Sequence, residues 1–421
     1  MAGVSTSLSR VSSSPVSPLP APLKRAIVGL GVTQIIAWGS VYYVIGAIGP
    51  TLIVALGTTP ELIYGGFSLS LVVSAAFAPA VGRAIDRIGG RRVMGLGSLV
   101  AALGLALAGM ATGPWSYGLA CLVLGAAAAL TLYDPAFAAL VQIAGRDGRR
   151  AITLLTLFGG FASTVSWPLT SWLDATLGWR STYFLYAAAH LLICLPIHAR
   201  LLADAPDQNR FAGDASVAPA AEAGELHGPA RRSAFWLFAI VLTVNSFVFS
   251  GMSVHFLAAL GELGLDRASA VAVGMAVGPA QVLGRFVEML SGQRHEAISV
   301  GRVSAALLPL SLLALFATPA AGWTAFLFAL AYGLANGLIT IAKGAVALTL
   351  FGSRGYGGLL GALAAPGLAA RAAAPILFST VIAGHGVFTM LAMAAIVGAA
   401  GCLAMEALTV LHRRALLRAV D

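Results

Sequence analysis

No charged residue occurs between Ala26 and Pro60, and none between Val93 and Tyr133. Uncharged runs of this length limit the possible folds more than any other feature of the chain. An element at a soluble protein's surface must offer water a polar face, and these runs have none. A bilayer interior suits them, because a helix crosses it with roughly 20 mostly apolar residues. Of the 421 residues, 59% are hydrophobic and only 10% charged, with a mean hydropathy of +0.90. Soluble domains carry about 25% charged residues. The chain reads as an all-α polytopic membrane protein.

Twelve apolar stretches can be placed. The first six lie near 26–48, 61–81, 93–113, 116–143, 151–173 and 181–200, and form an N-terminal bundle over 26–202. The second six lie near 233–257, 267–290, 299–318, 322–350, 357–382 and 385–411, and form a C-terminal bundle over 233–412. A polar linker, 203–232, separates them. Residues 1–25, rich in Ser, Pro and Ala, read as a disordered tail rather than a cleaved signal, and 413–421 as a second tail. With both termini in the cytoplasm, all but five of the 25 Lys and Arg fall at cytoplasmic ends, loops and tails. The exceptions are Arg180 and Arg267 outside, and Arg285, Lys343 and Arg371 within spans. The opposite orientation would invert the positive-inside bias. The net charge of +9 therefore reflects topology, and no nucleic-acid partner is expected. Cys121, Cys194 and Cys402 all fall inside spans, which argues against a disulfide framework.

Charge concentrates in one turn, "VGRAIDRIGGRR" (81–92), between the second and third spans. The stretch "LGRFVEMLSGQR" (283–294), between the eighth and ninth, repeats it without a gap. Gly82 matches Gly284, Arg83 matches Arg285, Asp86 matches Glu288, Gly90 matches Gly292 and Arg92 matches Arg294. Arginines serving only as topology anchors would need no second copy in register. The repeat marks two related six-helix halves, an architecture that carriers use.

Residues 82–92 resemble the loop motif Gly-x-x-x-Asp-Arg-x-Gly-(x)-Arg-Arg of the major facilitator superfamily, and the resemblance extends over all twelve spans. It implies two pseudo-symmetric six-helix bundles that alternate access to a central site. It also implies a gate made by Gly82, Asp86, Arg87, Gly89, Arg91 and Arg92, with Arg285 and Glu288 in the second copy. Asp86 would face the N-terminus of the eleventh span, where a helix dipole favours a carboxylate, and Glu288 would face the fifth. A narrower likeness lies in "GPAQVLGRF" (278–286), "ALTLFGSRGYGGLLG" (347–361), "AARAAAP" (369–375) and "AITLLTLFGGFASTVSWPLT" (151–170). These look like a bacterial branch that includes arsenite-efflux carriers, which implies the cytoplasmic (inner) membrane.

Ionisable groups inside spans mark pathways or paired sites. Asp134, directly before Pro135 in the fourth span, is the candidate proton-coupling acid. Aligning Gly125 with Gly333 sets Asp134 one position from the counterpart of Lys343, so the two related helices present an acid and a base to one cavity. A purely structural ion pair is the alternative. Arg371, in the eleventh span, is a candidate for substrate contact or for an ion pair. Gln34, Tyr42 and Tyr43 of the first span, Asn245 of the seventh and Asn336 of the tenth supply polar groups for a cavity. The scattered cysteines make no soft-metal site, so no metal is expected.

No GxxxxGK[ST], HExxH or G-x-S-x-G pattern occurs. The sequence thus predicts a secondary carrier, not an enzyme, working without a cofactor. Its expected partners are a small solute, protons and the lipid bilayer, and it is expected to be monomeric. By resemblance the favoured function is proton-coupled efflux of arsenite or a related trivalent metalloid. The alternative is proton-coupled uptake of a monocarboxylate or other small organic anion, favoured by Lys343 and Arg371 against one central acid.

Overall fold

The computed structural model describes residues 19–203, 225–290, 296–318 and 322–420, and every regular element among them is helical. Helix α1 (Ala21–Ala37) runs through a π-helical segment, Trp38–Tyr43, into α2 (Val44–Ala55). Then come α3 (Pro60–Ile88), α4 (Gly90–Gly109), α5 (Pro114–Thr131), α6 (Tyr133–Ala144), α7 (Gly148–Gly160) and α8 (Ala162–Ala189). A second π segment, His190–Cys194, leads into α9 (Leu195–Leu201). The second half holds α10 (Gly228–Glu262), α11 (Arg267–Leu290), α12 (Ala297–Leu315), α13 (Thr324–Phe351) and α14 (Tyr356–Val420).

Proline sets several of these starts. Pro22, Pro60, Pro114 and Pro229 fall in the first two helical positions, where no backbone N–H is required. Helix α1 therefore begins at Ala21, inside the expected tail, and Leu19 and Leu23 are buried against the core. Likewise α10 starts at Gly228, inside the expected linker, and the Leu226 N–H donates to the Leu350 carbonyl. The rest of the tail (1–18) and of the linker (204–224) lies outside the described residues, as do Gly292 and Arg294 of the repeated turn.

Nine helical runs among the described residues are long and apolar enough to cross a membrane. Two of them, Gly148–Leu201 and Tyr356–Leu417, contain 54 and 62 residues, far more than the roughly 20 that one crossing needs. Each bends at a glycine with positive φ, Gly178 (79°) and Gly386 (80°), so each has length for two crossings. Together with α11 the order accommodates the expected twelve.

The buried core is divided unevenly. One cluster draws on both halves, bringing Val81, Ile85, Phe137 and Ile152 together with Ile339, Phe351, Tyr356 and Leu360. It lies at the end that carries the charged turn. Toward the other end the halves keep separate cores, one within residues 44–187 and one within 248–395. The two bundles are joined at the turn end and packed independently at the far end.

Candidate functional site

At the turn end the halves meet backbone to backbone. A side chain at Gly82 would strike the Gly357 carbonyl, and one at Gly361 the Ala78 carbonyl. Only glycine lets α3 and α14 approach this closely. The approach brings Asp86, on the last turns of α3, to the start of α14. Its carboxylate accepts from the Gly357 and Gly358 N–H groups at 2.9 and 2.7 Å. These are first-turn N–H groups with no partner inside their own helix, at the positive end of its dipole.

The repeated turn is built differently. Glu288, buried on α11, accepts from Arg149 Nη2 at 3.1 Å and Thr153 Oγ1 at 3.0 Å, both side chains of α7. The acid faces the fifth span but engages its side chains. Arg285, matched to Arg83 by the repeat, is not placed with the gate. Arg83 is exposed, whereas Arg285 is buried and donates from Nη1 to the Thr156 carbonyl at 3.1 Å and from Nη2 to Thr340 Oγ1 at 3.4 Å.

The fourth span is broken rather than continuous. Helix α5 ends at Thr131, Leu132 is extended, and α6 restarts at Tyr133. Pro135 has no N–H for the carbonyl four residues earlier, that of Thr131. Gln34 Nε2 donates to this carbonyl at 2.7 Å. The break leaves Asp134 in the first turn of a half-helix, where its carboxylate pairs with Lys343 of α13. The two side chains are 21% and 23% exposed, and the paired Asp134 Oδ1 is itself buried.

Arg371, on α14, holds its guanidinium 5.8 Å from the centre of the Tyr42 ring, within cation–π range. Pro375 frees the Arg371 carbonyl as Pro135 frees that of Thr131, and Ser250 Oγ donates to it at 2.7 Å. Arg285 and Arg371 both act electrostatically on the Tyr43 hydroxyl. The π segment, with its wider turn, presents Trp38, Tyr42 and Tyr43 together.

A family model described as Major Facilitator Superfamily matches residues 30–375. The chain belongs to that superfamily. That is a transporter superfamily, and the nine apolar helical runs among the described residues make the chain a multi-pass membrane protein. It is 29% identical over 276 residues to monocarboxylate transporter 13 of Rattus norvegicus, covering 63% of this chain and 60% of that protein. The match thus spans less than two thirds of that relative's length. The crystal structure of the human organic anion transporter MFSD10 (TETRAN) shares the fold. Its TM-score is 0.75 at 15% identity, over 92% of this chain and 100% of that one.

Within this superfamily fold the expected site residues separate into groups. Tyr42 and Tyr43 lie near Arg371 and, from the expected gate, Arg285, while Asp134 and Lys343 pair with each other beside the core that the two halves share. Gln34 is fully buried and holds the helix break. Asn245 lines a gap inside the C-terminal half beside Val241, Val244 and Gly401, away from the interface between halves. Asn336 is half-buried one turn from Thr340, whose hydroxyl donates to the Asn336 carbonyl. Arg91 anchors the chain leaving α9, donating from Nε to the Leu202 carbonyl at 2.9 Å, while Arg87 and Arg92 are exposed. Gly89, with φ of 84°, reverses the chain between α3 and α4.

Sequence reasoning missed Gln142 and the partners of Glu288. Gln142 spans the Gly89 reversal, donating to the Ile85 carbonyl at 2.8 Å and accepting from the Gly90 N–H at 3.2 Å. Ser250 carried a usable signal, since the carbonyl four residues before Pro375 had to find a donor. Cys121 and Cys194 are buried in helix packing on different helices, and no cluster of three metal-binding side chains exists among the described residues.

Proposed function

We propose that the chain moves a small organic anion across the membrane together with a proton, by alternating access. The observation that carries this reading is the charge within the spans: three cations, Arg285, Lys343 and Arg371, against one central carboxylate, Asp134, which pairs with Lys343. Fixed cations of this kind in a poorly solvated site hold an anion strongly. The names of two relatives, a monocarboxylate transporter and an organic anion transporter, are consistent with that chemistry. The metalloid expectation rested on resemblance alone. A trihydroxy arsenic acid, uncharged at neutral pH, gains little from this excess of cations.

The ion pair supplies the coupling and its sign. While Asp134 is ionised it neutralises Lys343. A proton on Asp134 releases Lys343 as a third cation facing the site, so proton and anion favour each other's binding. Two ligands that bind cooperatively travel in the same direction, which makes the carrier a symporter and favours the uptake alternative over proton-coupled efflux. With the charged turns in the cytoplasm, the core shared by both halves closes the inner side. Return of the empty carrier then requires Asp134 to lose its proton and recapture Lys343.

The test is uptake into proteoliposomes under an inward proton gradient, with [14C]lactate and arsenite assayed in parallel. Gradient-driven lactate accumulation, abolished by Arg371→Gln, is the expected result. Arsenite movement without lactate movement would reinstate the metalloid reading.

A further inference from the structure

The two sides of the central site differ in chemistry. The C-terminal half supplies charge. Arg371 lies 5.8 Å from the Tyr42 ring, and Arg285 reaches Thr156 and Thr340. Both are near enough to Tyr43 to act on it electrostatically, and the Nε atom of each is buried with no hydrogen-bond partner. Buried donors are normally satisfied, so an unsatisfied guanidinium N–H on each of these arginines calls for an acceptor. A carboxylate is the acceptor whose geometry suits guanidinium.

The N-terminal half supplies rings. The Trp38 centroid lies 5.1 Å from that of Tyr42 and 5.9 Å from that of Tyr43, and the two tyrosine rings are 5.3 Å apart. Phe67 of α3 and Tyr133 of α6 extend the cluster, 5.2 Å from Tyr42 and 5.1 Å from Trp38. All of these are edge-to-face or offset distances. Phe137, Phe238 and Phe351, in the core shared by the halves, have at most 1% of their surface exposed. Trp38, Tyr42 and Tyr43 remain partly open, and the two tyrosines lie near the arginines. The indole Nε1 of Trp38 is also buried without a partner. A short acid such as lactate would meet the arginines and leave these rings unused.

We propose, resting on the anion reading above, that the preferred substrate is an aryl or arylalkyl carboxylate. Its carboxylate binds between Arg285 and Arg371 at Tyr43, and its ring lies against Trp38 and Tyr42. The aromatic wall, held by the π segment, sets specificity, while the arginines set charge.

The test compares [14C]phenylacetate with [14C]lactate, two acids of equal charge, in proteoliposomes of the intact carrier. The proposal expects a KM for phenylacetate lower by about tenfold, the equivalent of one well-formed ring contact. Trp38→Leu with Tyr42→Leu should erase most of that preference, lowering phenylacetate affinity far more than lactate affinity. Trp38→Phe and Tyr42→Phe, which keep a ring, should preserve it. Equal KM values for the two acids in the unmodified carrier, or a ratio untouched by the leucine pair, would overturn the aryl proposal and leave the anion reading standing. Transport of neither acid would remove both.

Discussion

The two charged turns derive from one repeat, yet they hold the halves together by different means. Asp86 binds main-chain N–H groups at the start of α14, in a contact made possible by Gly82 and Gly361. Glu288 binds the side chains of Arg149 and Thr153, and its own side chain is 4% exposed. A helix N-terminus offers its N–H groups whatever its side chains, so the first contact depends on backbone approach. The second depends on a buried charge keeping its partner. Related turns therefore fail for different reasons: Asp86 by steric intrusion, Glu288 by loss of neutralisation.

The largest effect should come from Glu288→Ala. It strands Arg149, and breaking a buried pair from one side costs about 3–5 kcal/mol. Thermal unfolding in detergent should show a marked loss, and Arg149→Leu added to it should restore much of the stability. No rescue would mean that the pair is not the source of the contact. Gly82→Val should come next, with about 1–3 kcal/mol of overpacking against the Gly357 carbonyl. It should prise the turn end apart, so that a cysteine introduced at Ala78 reacts with an impermeant maleimide from that side. Unchanged labelling would show that backbone approach is not what closes the first turn. Asp86→Asn should have the smallest effect, about 1 kcal/mol, because the amide oxygen still accepts one of the two N–H groups. A loss at Asp86 equal to that at Glu288 would erase the distinction between the turns.

Much of this was legible in the sequence because charge is rare in it. In a chain with so few charged residues, two aligned acidic turns and the isolated Asp134 and Lys343 stand out against apolar neighbours. The uncharged polar residues were less legible. Gln34 and Asn245 read alike as cavity groups, but one satisfies a carbonyl freed by Pro135 and the other faces a gap within its own half. Main-chain partners leave no mark in side-chain patterns. Arg285 misled through its alignment with Arg83. Equivalent positions in the repeat face exposed surface in one half and the space between helices in the other, and composition does not report which.

The coupling role of the Asp134–Lys343 pair is tested most directly by following protons and lactate together. Proteoliposomes containing a pH-sensitive dye are given external lactate with no imposed gradient. The account predicts that the unmodified carrier acidifies the lumen as [14C]lactate enters. Asp134→Asn, fixed in the neutral state, should lose net uptake and acidification but still exchange internal for external [14C]lactate. Full proton-driven net uptake by Asp134→Asn would contradict it.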